Sequence, residues 1–474
     1  MPDTQGPPTS VPEYDDEPRQ AISPLRVVVA LVVLIGAVYG GVAGVRAKLN
    51  TAGAVPASTW FAPYVDATLT PTYSFQVPSS NPAAQTVLGF VVSDPGSTCT
   101  PSWGGYYTLP QADQSLALQA RIAELGQEGA RAMVSFGGKD NTDLAVGCHD
   151  VSKLAAAYES VIDHYHLQAI DLDVEGPALS DTSAVERRAQ AIRQVQLDAE
   201  RHHQPLAIWL TLPAESDGLQ SDGLSVLDSM LSARVDLAGV NIMAMDFSQP
   251  PSGASMLGQV QSAASATHGE LADAFKRYGV QLTSAQTWQR LGVTVMIGQN
   301  DVAGERFAVS DAQGLVAFAR KTGLGRVSMW SLNRDNQCGS TFAVIGVQSD
   351  TCSGTPQTKL EFSRTFGQLK GILSVAEASA LPPAPDTNPA DAPFPLWSPT
   401  SSYQSGYKVV RNGYIYQAKW YNSGEDPAAQ VQSVWDTPWE ILGPVLSGDH
   451  PAAPTTLPEG TYPQVVGLDQ LLGR

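Results

Sequence analysis

The sequence contains few cysteines and few positive charges, and each shortage narrows what the protein can be. Its four cysteines include no CxxC pair, which disfavours a zinc site or a dithiol redox site. Lysine and arginine total 28 against 46 aspartate and glutamate residues, a formal net charge of −18. Because nucleic-acid binding needs a cationic surface, nucleic acid is not expected as a partner. HExxH, G-x-S-x-G and GxxxxGK motifs are also absent, and no metal or cofactor is expected.

One long segment lacks charge altogether. Residues 27–45 form a run of 19 uncharged residues, enough for a helix that spans a hydrocarbon core of about 30 Å. The run is longer than the roughly 7–15 residues of a signal-peptide core, so a retained membrane anchor is favoured over a cleaved secretory signal. Gly36, Gly40 and Gly44 are spaced four residues apart, which would allow a weak helix-mediated dimer.

All four cysteines follow this apolar run. An even number on one side of a membrane suits two disulfides in an oxidising compartment. Three pairings are possible, and Cys99–Cys148 with Cys338–Cys352 closes the shortest loops. Four buried thiols are the alternative.

After the apolar run, eight β-rich runs alternate with helical patterns. Leu118, Ile122 and Leu125 recur at the helical period, and residues 183–203 predict a longer charged helix. Eight strands separated by helices predict an α/β fold, a (β/α)8 TIM barrel. A doubly wound open sheet is the alternative, but its glycine-rich phosphate turn is absent. The predicted strands begin at Trp60, Thr86, Arg131, Ala169, Leu206, Gly239, Leu291 and Arg326.

Changes in composition divide the chain into six segments. The first tail is acidic and Pro-rich, which favours disorder, and a later Pro/Ala stretch is typical of a semi-rigid linker. The segments are a disordered cytoplasmic tail (1–24), a transmembrane anchor (25–46), the barrel (55–373), the linker (374–395), a small aromatic-rich all-β module (396–443) and a Pro-rich tail (444–474).

The most informative stretch is A-I-D-L-D-V-E. In a strand, alternation places Asp171, Asp173 and Glu175 on one face, which points inward in a barrel and ends where barrel enzymes carry their chemistry. Crowding of like charges raises the pKa of at least one carboxyl, and a carboxyl protonated near neutral pH can act as a general acid. A calcium loop fits poorly because its twelfth position is Thr182 instead of Glu. An exposed acidic edge strand is the remaining alternative.

This stretch resembles the D-x-x-D-x-D-x-E signature of glycoside hydrolase family 18, the chitinases and related N-acetylglucosaminidases, with Gln168 at the first Asp. Three other segments agree with the family's motifs in the same order along the chain. They are S-F-G-G at 135–138, M-A-M-D at 243–246 and M-W-S at 329–331.

The resemblance implies a glycosidase that cleaves β-1,4-linked N-acetylglucosamine polymers by substrate-assisted retaining catalysis. Glu175 would protonate the glycosidic oxygen while the substrate's own N-acetyl group attacks the anomeric carbon. Asp173 would orient that group, and Asp171 behind it would share charge and protons. Asp246 would reach the acetamido group or Glu175, and Trp330 would pack under the sugar ring.

Two departures from the family pattern are present. Gln168 is expected to weaken the buried charge relay, and Met245 stands where many members have a tyrosine that contacts the intermediate. Tyr64 is the candidate replacement, so Tyr64, Met243 and Trp330 are the expected substrate contacts in the barrel. The alternatives are a non-catalytic chitin or cell-wall binding surface protein and a hydrolase of another N-acetylglucosamine polymer, such as peptidoglycan.

The stretch A-K-W-Y-N-S-G-E-D-P at 418–427 resembles the A-K-W-[WY]-x-x-G-E-x-P of family 5/12 carbohydrate-binding modules, which bind chitin. Asn412 and Gly413 predict a tight hairpin before it. Alternation places Trp420 and Tyr421 on opposite faces, so that Tyr421 faces solvent if Trp420 packs inward, and both are candidate sugar contacts. The resemblances together imply a membrane-anchored protein with an extracytoplasmic barrel and chitin as partner.

Overall fold

The computed structural model describes residues 59–202, 204, 206–248, 255–340, 348–373, 392–429 and 437–445. All of these lie in the unit Ala57–Arg474. The predicted tail, anchor and dimer contact, and most of the predicted linker and of the Pro-rich tail, lie outside the described residues. Among the helices that are described, none has the length and apolar composition needed to cross a lipid bilayer.

Eight parallel strands form the centre of the molecule. They are β1 Trp60–Asp66, β2 Gln85–Asp94, β3 Arg131–Gly137, β4 Ala169–Asp173, β5 Ala207–Glu215, β6 Leu237–Met243, β7 Leu291–Met296 and β8 Arg326–Trp330. Each strand pairs with the next in parallel, and β8 pairs with β1, so the sheet closes into a barrel. Every predicted strand corresponds to one of the eight, and the predicted TIM barrel is confirmed.

Helices cover the outside of the barrel, and carboxylates begin two of the longer ones. The Asp150 side chain accepts from the amide of Lys153 at 2.9 Å, and the Asp181 side chain from Ala184 at 3.0 Å, which satisfies amides that have no partner within the helix. The helices are α1 Leu109–Leu116, α2 Leu118–Gln127, α3 Leu144–Gly147, α4 Val151–Tyr165, α5 Pro177–Ser180, α6 Thr182–Arg201, α7 Ser221–Ser232, α8 Met256–Arg277, α9 Ser284–Gln289, α10 Val309–Thr322 and α11 Glu361–Phe366, with a 3-10 turn at Leu332–Arg334.

The strands divide their side chains between two layers. Outward residues such as Ile170 and Leu172 of β4 pack under the helices in the main hydrophobic core. Inward residues such as Trp60, Tyr64 and Trp209 form a second, smaller cluster inside the barrel. Alternation therefore gives each strand one face for stability and one face for the barrel interior.

Five short strands lie outside the barrel wall, and the sequence pattern did not predict them. Ser97–Trp103 runs back antiparallel along β2 as a hairpin. The others are Tyr107–Thr108, Gly218–Leu219, Gly298–Gln299 and Arg306–Phe307.

Two disulfides tie loops of the barrel unit together. Cys99 of the hairpin is bonded to Cys148, which follows α3, and Cys338 is bonded to Cys352. This is the pairing with the shortest loops, so that prediction is confirmed.

The C-terminal module is a small β-structure of two sheets. Its strands are β9 Ser402–Tyr403, β10 Lys408–Arg411, β11 Tyr414–Ala418, β12 Asn422–Ser423 and β13 Trp439–Pro444. β10, β11 and β13 form one sheet, and β9 pairs with β12. Asn412 and Gly413 turn the β10–β11 hairpin at φ of 51° and 78°, as predicted.

The module packs directly on helix α6. Arg193 Nε donates to the Tyr414 hydroxyl at 2.8 Å, and Gln194 Nε2 donates to the carbonyl of Leu442 at 2.6 Å. Leu197 packs against the module's aromatic core. The module is therefore held against the barrel by side-chain contacts of α6 in addition to its chain connection.

Candidate active site

Strand β4 carries its three acidic side chains from the barrel interior to its C-terminal end. Asp171 is 0% exposed and Asp173 is 3% exposed, while Glu175, just past the strand, is half-buried. The predicted alternation is confirmed. We call Asp171 with its bonded partners the floor of the site. Asp173, Glu175 and the loops at the C-terminal ends of the strands form the mouth.

The floor holds Asp171 with donors from four strands. Tyr64 of β1 and Ser135 of β3 each donate to Oδ2 at 2.8 Å. Thr211 of β5 and Arg326 of β8 each donate to Oδ1 at 2.8 Å. Both side chains of the Arg326–Asp171 ion pair are 0% exposed. The pair is fully hydrogen-bonded, which is what the burial of two charges requires.

The other two nitrogens of Arg326 each have an acceptor as well. Nη2 donates to the Tyr64 hydroxyl at 3.0 Å and Nε to the Ser328 hydroxyl at 2.7 Å. The guanidinium carbon lies 5.5 Å from the ring centre of Trp60 and 5.3 Å from that of Trp209. Burial raises the pKa of Tyr64 well above its ordinary value, so its hydroxyl stays protonated and remains a donor.

The carboxyls of the mouth have fewer donors. Oδ1 of Asp173 is buried and has no hydrogen-bond partner among the residues that the structure describes. Burial, followed by the charges of Glu175 and Asp171, raises the pKa of Asp173 well above its ordinary value. Burial also raises the pKa of Glu175 to about 7, with the Lys139 ammonium opposing the rise. Because the charge of Glu175 contributes to the raised pKa of Asp173, ionisation of Glu175 favours the protonated form of Asp173, and like charges so placed allow one carboxyl to be an acid while the other is charged.

An ion pair spans the mouth. Lys139 Nζ lies 2.8 Å from Asp301 Oδ2. Lys139 follows β3 and Asp301 follows β7, and these strands are opposite one another in an eight-stranded barrel. Asp246, after β6, accepts the amides of Asp301 at 2.7 Å and Val302 at 3.1 Å through Oδ1. Asp246 therefore positions this loop, and its charge also contributes to the raised pKa of Glu175.

Two aromatic rings face each other at the upper end of the barrel interior. Trp330, the last residue of β8, is half-buried and stacks on Phe90 with ring centres 5.6 Å apart. Gly138, at a φ of +86°, leaves room for this pair, because a Cβ there would lie 2.9 Å from the Phe90 ring. The second glycine of S-F-G-G thus serves the aromatic surface, which offers a flat apolar face beside the carboxyls.

Three sequence predictions at the site need correction or refinement. Tyr64 is not a substrate contact, because it is 2% exposed and its hydroxyl is bonded to Asp171. Gln168 does not touch a buried charge relay, because it is exposed and precedes β4. Met243 ends β6, and Met245 lies two residues further on; both are half-buried, and neither supplies a hydroxyl.

Sequence reasoning missed several residues of the site, including the floor donors Thr211 and Arg326 and the ring of Phe90. Arg326 begins the eighth predicted strand, and alternation places it on the same face as Ser328 and Trp330, so strand periodicity alone would have found it. Phe90 lies within the apolar stretch of β2 and carries no polar atom that would mark it. Only the ring contact with Trp330 identifies its place.

In the module, the inward-packing alternative for Trp420 does not hold, and its place as a candidate sugar contact stays a prediction. Trp420 does not pack inward but is 45% exposed, next to Tyr421 at 59%. The alternation that buries Tyr416 and Ala418 ends with β11 at Ala418, so it does not extend to Trp420. Two adjacent aromatic rings are therefore exposed on one loop of the module.

No family model matches this chain. Over 304 residues it is 34% identical to the "Probable bifunctional chitinase/lysozyme" of Escherichia coli (strain K12), covering 62% of this chain and 33% of that protein. Over 305 residues it is 33% identical to "Endochitinase 11" of Metarhizium anisopliae, covering 62% and 55%. The chain thus spans about a third and about half of the lengths of these two curated relatives.

A solved structure agrees with the barrel. The catalytic domain of a hyperthermophilic chitinase from Pyrococcus furiosus matches with a TM-score of 0.56 and 26% identity, covering 66% of this chain and 95% of that chain. Fold and site define a closed (β/α)8 barrel with a titrating carboxyl pair at its C-terminal mouth. The protein is similar in sequence and fold to chitinases.

Proposed function

We propose that the protein is a chitinase-like glycosidase that hydrolyses β-1,4-linked polymers of N-acetylglucosamine. The observation that carries this is the pair at the mouth, where burial raises the pKa of Glu175 to about 7 and a buried oxygen of Asp173 has no partner among the described residues. The similarity to chitinases supports the choice of substrate.

In this proposal the two carboxyls divide the chemistry. Glu175 donates its proton to the glycosidic oxygen as the bond to the anomeric carbon breaks, and the carbonyl oxygen of the substrate's N-acetyl group bonds to that carbon. The open oxygen of Asp173 accepts the acetamido N–H and stabilises the positive charge that develops on the ring so formed. Glu175 then takes a proton from the water that opens this ring, and the anomeric configuration is retained.

Trp330 and Phe90 supply the apolar surface for a sugar ring at this point. Asp246 acts by holding the loop that carries Asp301. In the module, Trp420 and Tyr421 are the proposed contacts with chitin, because exposed flat rings stack on pyranose faces. An extracytoplasmic barrel, held by an anchor at 25–46, remains part of the proposal and is supported by the two disulfides.

The test compares the full chain with Glu175→Gln on N-acetylglucosamine tetramer and pentamer, with products identified by mass. Glu159→Gln is a matched control: burial raises the pKa of Glu159 to about 7 as well, but Glu159 lies on α4, outside the barrel wall. We expect cleavage by the parent and by the control, and loss of most cleavage in Glu175→Gln.

If the parent binds chitin without cleaving either oligomer, the non-catalytic alternative replaces this proposal. Cleavage of peptidoglycan fragments but not of the oligomers would move the substrate to the other N-acetylglucosamine polymer that the name of the Escherichia coli relative suggests.

A further inference from the structure

We infer that Arg326 is a positioning residue that keeps Asp171 a pure hydrogen-bond acceptor, so that the catalytic proton is confined to Asp173 and Glu175. The inference rests on the proposed function for its catalytic consequence, but the proton arrangement itself can be measured without turnover. It replaces the sequence-based expectation that Asp171 shares protons with Asp173.

The directions of the floor hydrogen bonds carry the first step. Arg326 has no acceptor atom, so its bond to Asp171 runs in one direction only. The Tyr64 hydroxyl receives Arg326 Nη2 at 3.0 Å, and the Thr211 hydroxyl receives Asn241 Nδ2 at 3.1 Å. The two hydroxyls also lie 3.2 Å from each other, where either could donate, but each is closer to Asp171, at 2.8 Å, and the carboxylate paired with Arg326 is the stronger acceptor for both protons.

Arg326 itself stays charged. Burial would lower its pKa, but the charge of the Asp171 carboxylate and the hydrogen bonds to Asp171 and Tyr64 outweigh burial, and the pKa is raised. Charged or titratable groups face Asp171 from three strands: Tyr64 of β1, Asp173 of β4 and Arg326 of β8. The other strands in contact present Ser135, Thr211 and the more distant Asn241, none of which changes charge.

The proton stays on Asp173 and Glu175 because the floor and the mouth differ in how many hydrogen-bond donors they offer to a carboxylate. At the floor both oxygens of Asp171 are occupied by donors, two on each oxygen. At the mouth the free oxygen of Asp173 is the open position. A proton lost from Asp173 therefore passes to Glu175 or to solvent, and Glu175 holds its proton when Asp173 carries the negative charge that the substrate needs.

The test uses three variants of the full chain. Arg326→Gln keeps an N–H donor and removes the charge; Arg326→Lys keeps the charge; Arg326→Gln/Asp171→Asn removes both floor charges. For each, kcat and KM on N-acetylglucosamine tetramer and the midpoint of thermal unfolding are measured from pH 4 to 9.

In Arg326→Gln, Asp171 loses its counter-ion, and we expect it to take up a proton within this range. An additional ionisation then appears in both the unfolding profile and the kcat profile, and kcat at pH 6 falls about tenfold while KM changes less than about twofold. Arg326→Lys restores the parent profiles. In the double variant the floor carries no charge, and in the parent its two charges cancel. The alkaline limb of the kcat profile should therefore stay within about half a pH unit of the parent's.

Parent-like profiles in Arg326→Gln would overturn the inference. If Arg326→Gln does not fold, the double variant decides instead. A shift of more than about one pH unit in the pH dependence of its unfolding midpoint, relative to the parent, overturns the inference. Failure of the parent to cleave the tetramer would contradict the proposed function. The pH dependence of the unfolding midpoints would still decide the role of Arg326.

Discussion

Asp171 and Asp173 lie two residues apart on one face of one strand, and both are buried, yet they are built for opposite purposes. Asp171 at the floor has four donors, one of them a buried guanidinium. Asp173 at the mouth has a buried oxygen without a partner among the described residues, and its pKa is raised. Burial is nearly equal at the two positions. The number of donors therefore decides which carboxylate is a fixed charge and which one takes part in proton transfer.

The same contrast separates stability from activity. Removing one partner of a buried ion pair lowers the free energy of unfolding by about 3–5 kcal/mol, so loss of either charged residue of the floor should destabilise the fold strongly. A buried polar atom without a partner costs about 1–3 kcal/mol of stability. The buried oxygen of Asp173 at the mouth carries this cost as long as no substrate is bound. A substrate acetamido group that donates to Asp173 would remove that cost on binding. The largest effects on activity are therefore expected at the mouth, and the largest effects on stability at the floor.

The largest effect on activity is expected for Glu175→Gln, in which kcat should fall about 10²–10⁴-fold, the usual contribution of a general acid. Stability should change in the opposite direction. Because the folded-state pKa of Glu175 is raised to about 7, its proton contributes stability at low pH that is lost as the pH rises through about 7. Thermal unfolding at pH 8 should therefore show the variant to be more stable than the parent.

Equal stability of the two proteins at pH 4, with a gain for the variant that grows between about pH 4.5 and 7 and is complete by pH 8, would separate this effect from general repacking. A variant that is inactive and also less stable at pH 8 would contradict the idea that the mouth trades stability for activity.

At the floor, Tyr64→Phe removes one donor to Asp171 and leaves the ring in place. We expect a stability loss of about 1–3 kcal/mol and a fall in kcat of about tenfold, because Asp171 is less firmly held. Tyr73→Phe is the matched control, since its hydroxyl donates to the Ser80 carbonyl at 2.7 Å outside the barrel interior. Denaturant unfolding should show destabilisation in both variants, and the tetramer assay a kcat effect in Tyr64→Phe alone.

If the two variants lose the same fraction of kcat, the floor acts through general stability instead of through the carboxylates.

Much of the fold, and the carboxylate strand, could be predicted from the sequence because both depend on local periodicity. The eight strands and the inward face of Asp171, Asp173 and Glu175 follow from alternation. The partners could not be predicted, because the donors to Asp171 lie up to 155 positions away along the chain. Tyr64 illustrates the limit: its strand was placed correctly, but its role depends on which residue of β4 lies across from it in the closed barrel.

Trp420 illustrates a second limit, because alternation holds only as long as the strand does. β11 ends at Ala418, and the chain turns before Trp420. The hairpin Ser97–Trp103 was missed for a related reason. It pairs outside the regular strand–helix order, so no period in the sequence marks it.

A smaller effect is expected from Gly138→Ala at the aromatic surface. The added Cβ would lie 2.9 Å from the Phe90 ring and would displace it, so KM for the tetramer should rise several-fold with little change in the pH profile. Gly129→Ala is the control, because its φ of +81° imposes similar backbone strain, about 1–2 kcal/mol, with no atom within 4 Å of the new Cβ. Both should unfold at lower denaturant, but only Gly138→Ala should change KM.

An equal KM in the two variants would remove Phe90 from the proposed sugar surface and leave Trp330 alone there.

The smallest predicted effect concerns the ion pair across the mouth, and it tests whether the mouth is tuned by charge as the floor is. The Lys139 ammonium opposes the rise in the pKa of Glu175, so Lys139→Ala should raise that pKa and move the alkaline limb of kcat/KM to higher pH. Lys139 is 72% exposed, so the shift should be only a few tenths of a pH unit and should shrink as salt is added. Lys153→Ala, on α4 outside the barrel, controls for net charge. If the alkaline limb of kcat/KM in Lys139→Ala moves to lower pH, or if its shift does not depend on salt, Lys139 acts through the loop it holds with Asp301 instead of through its charge.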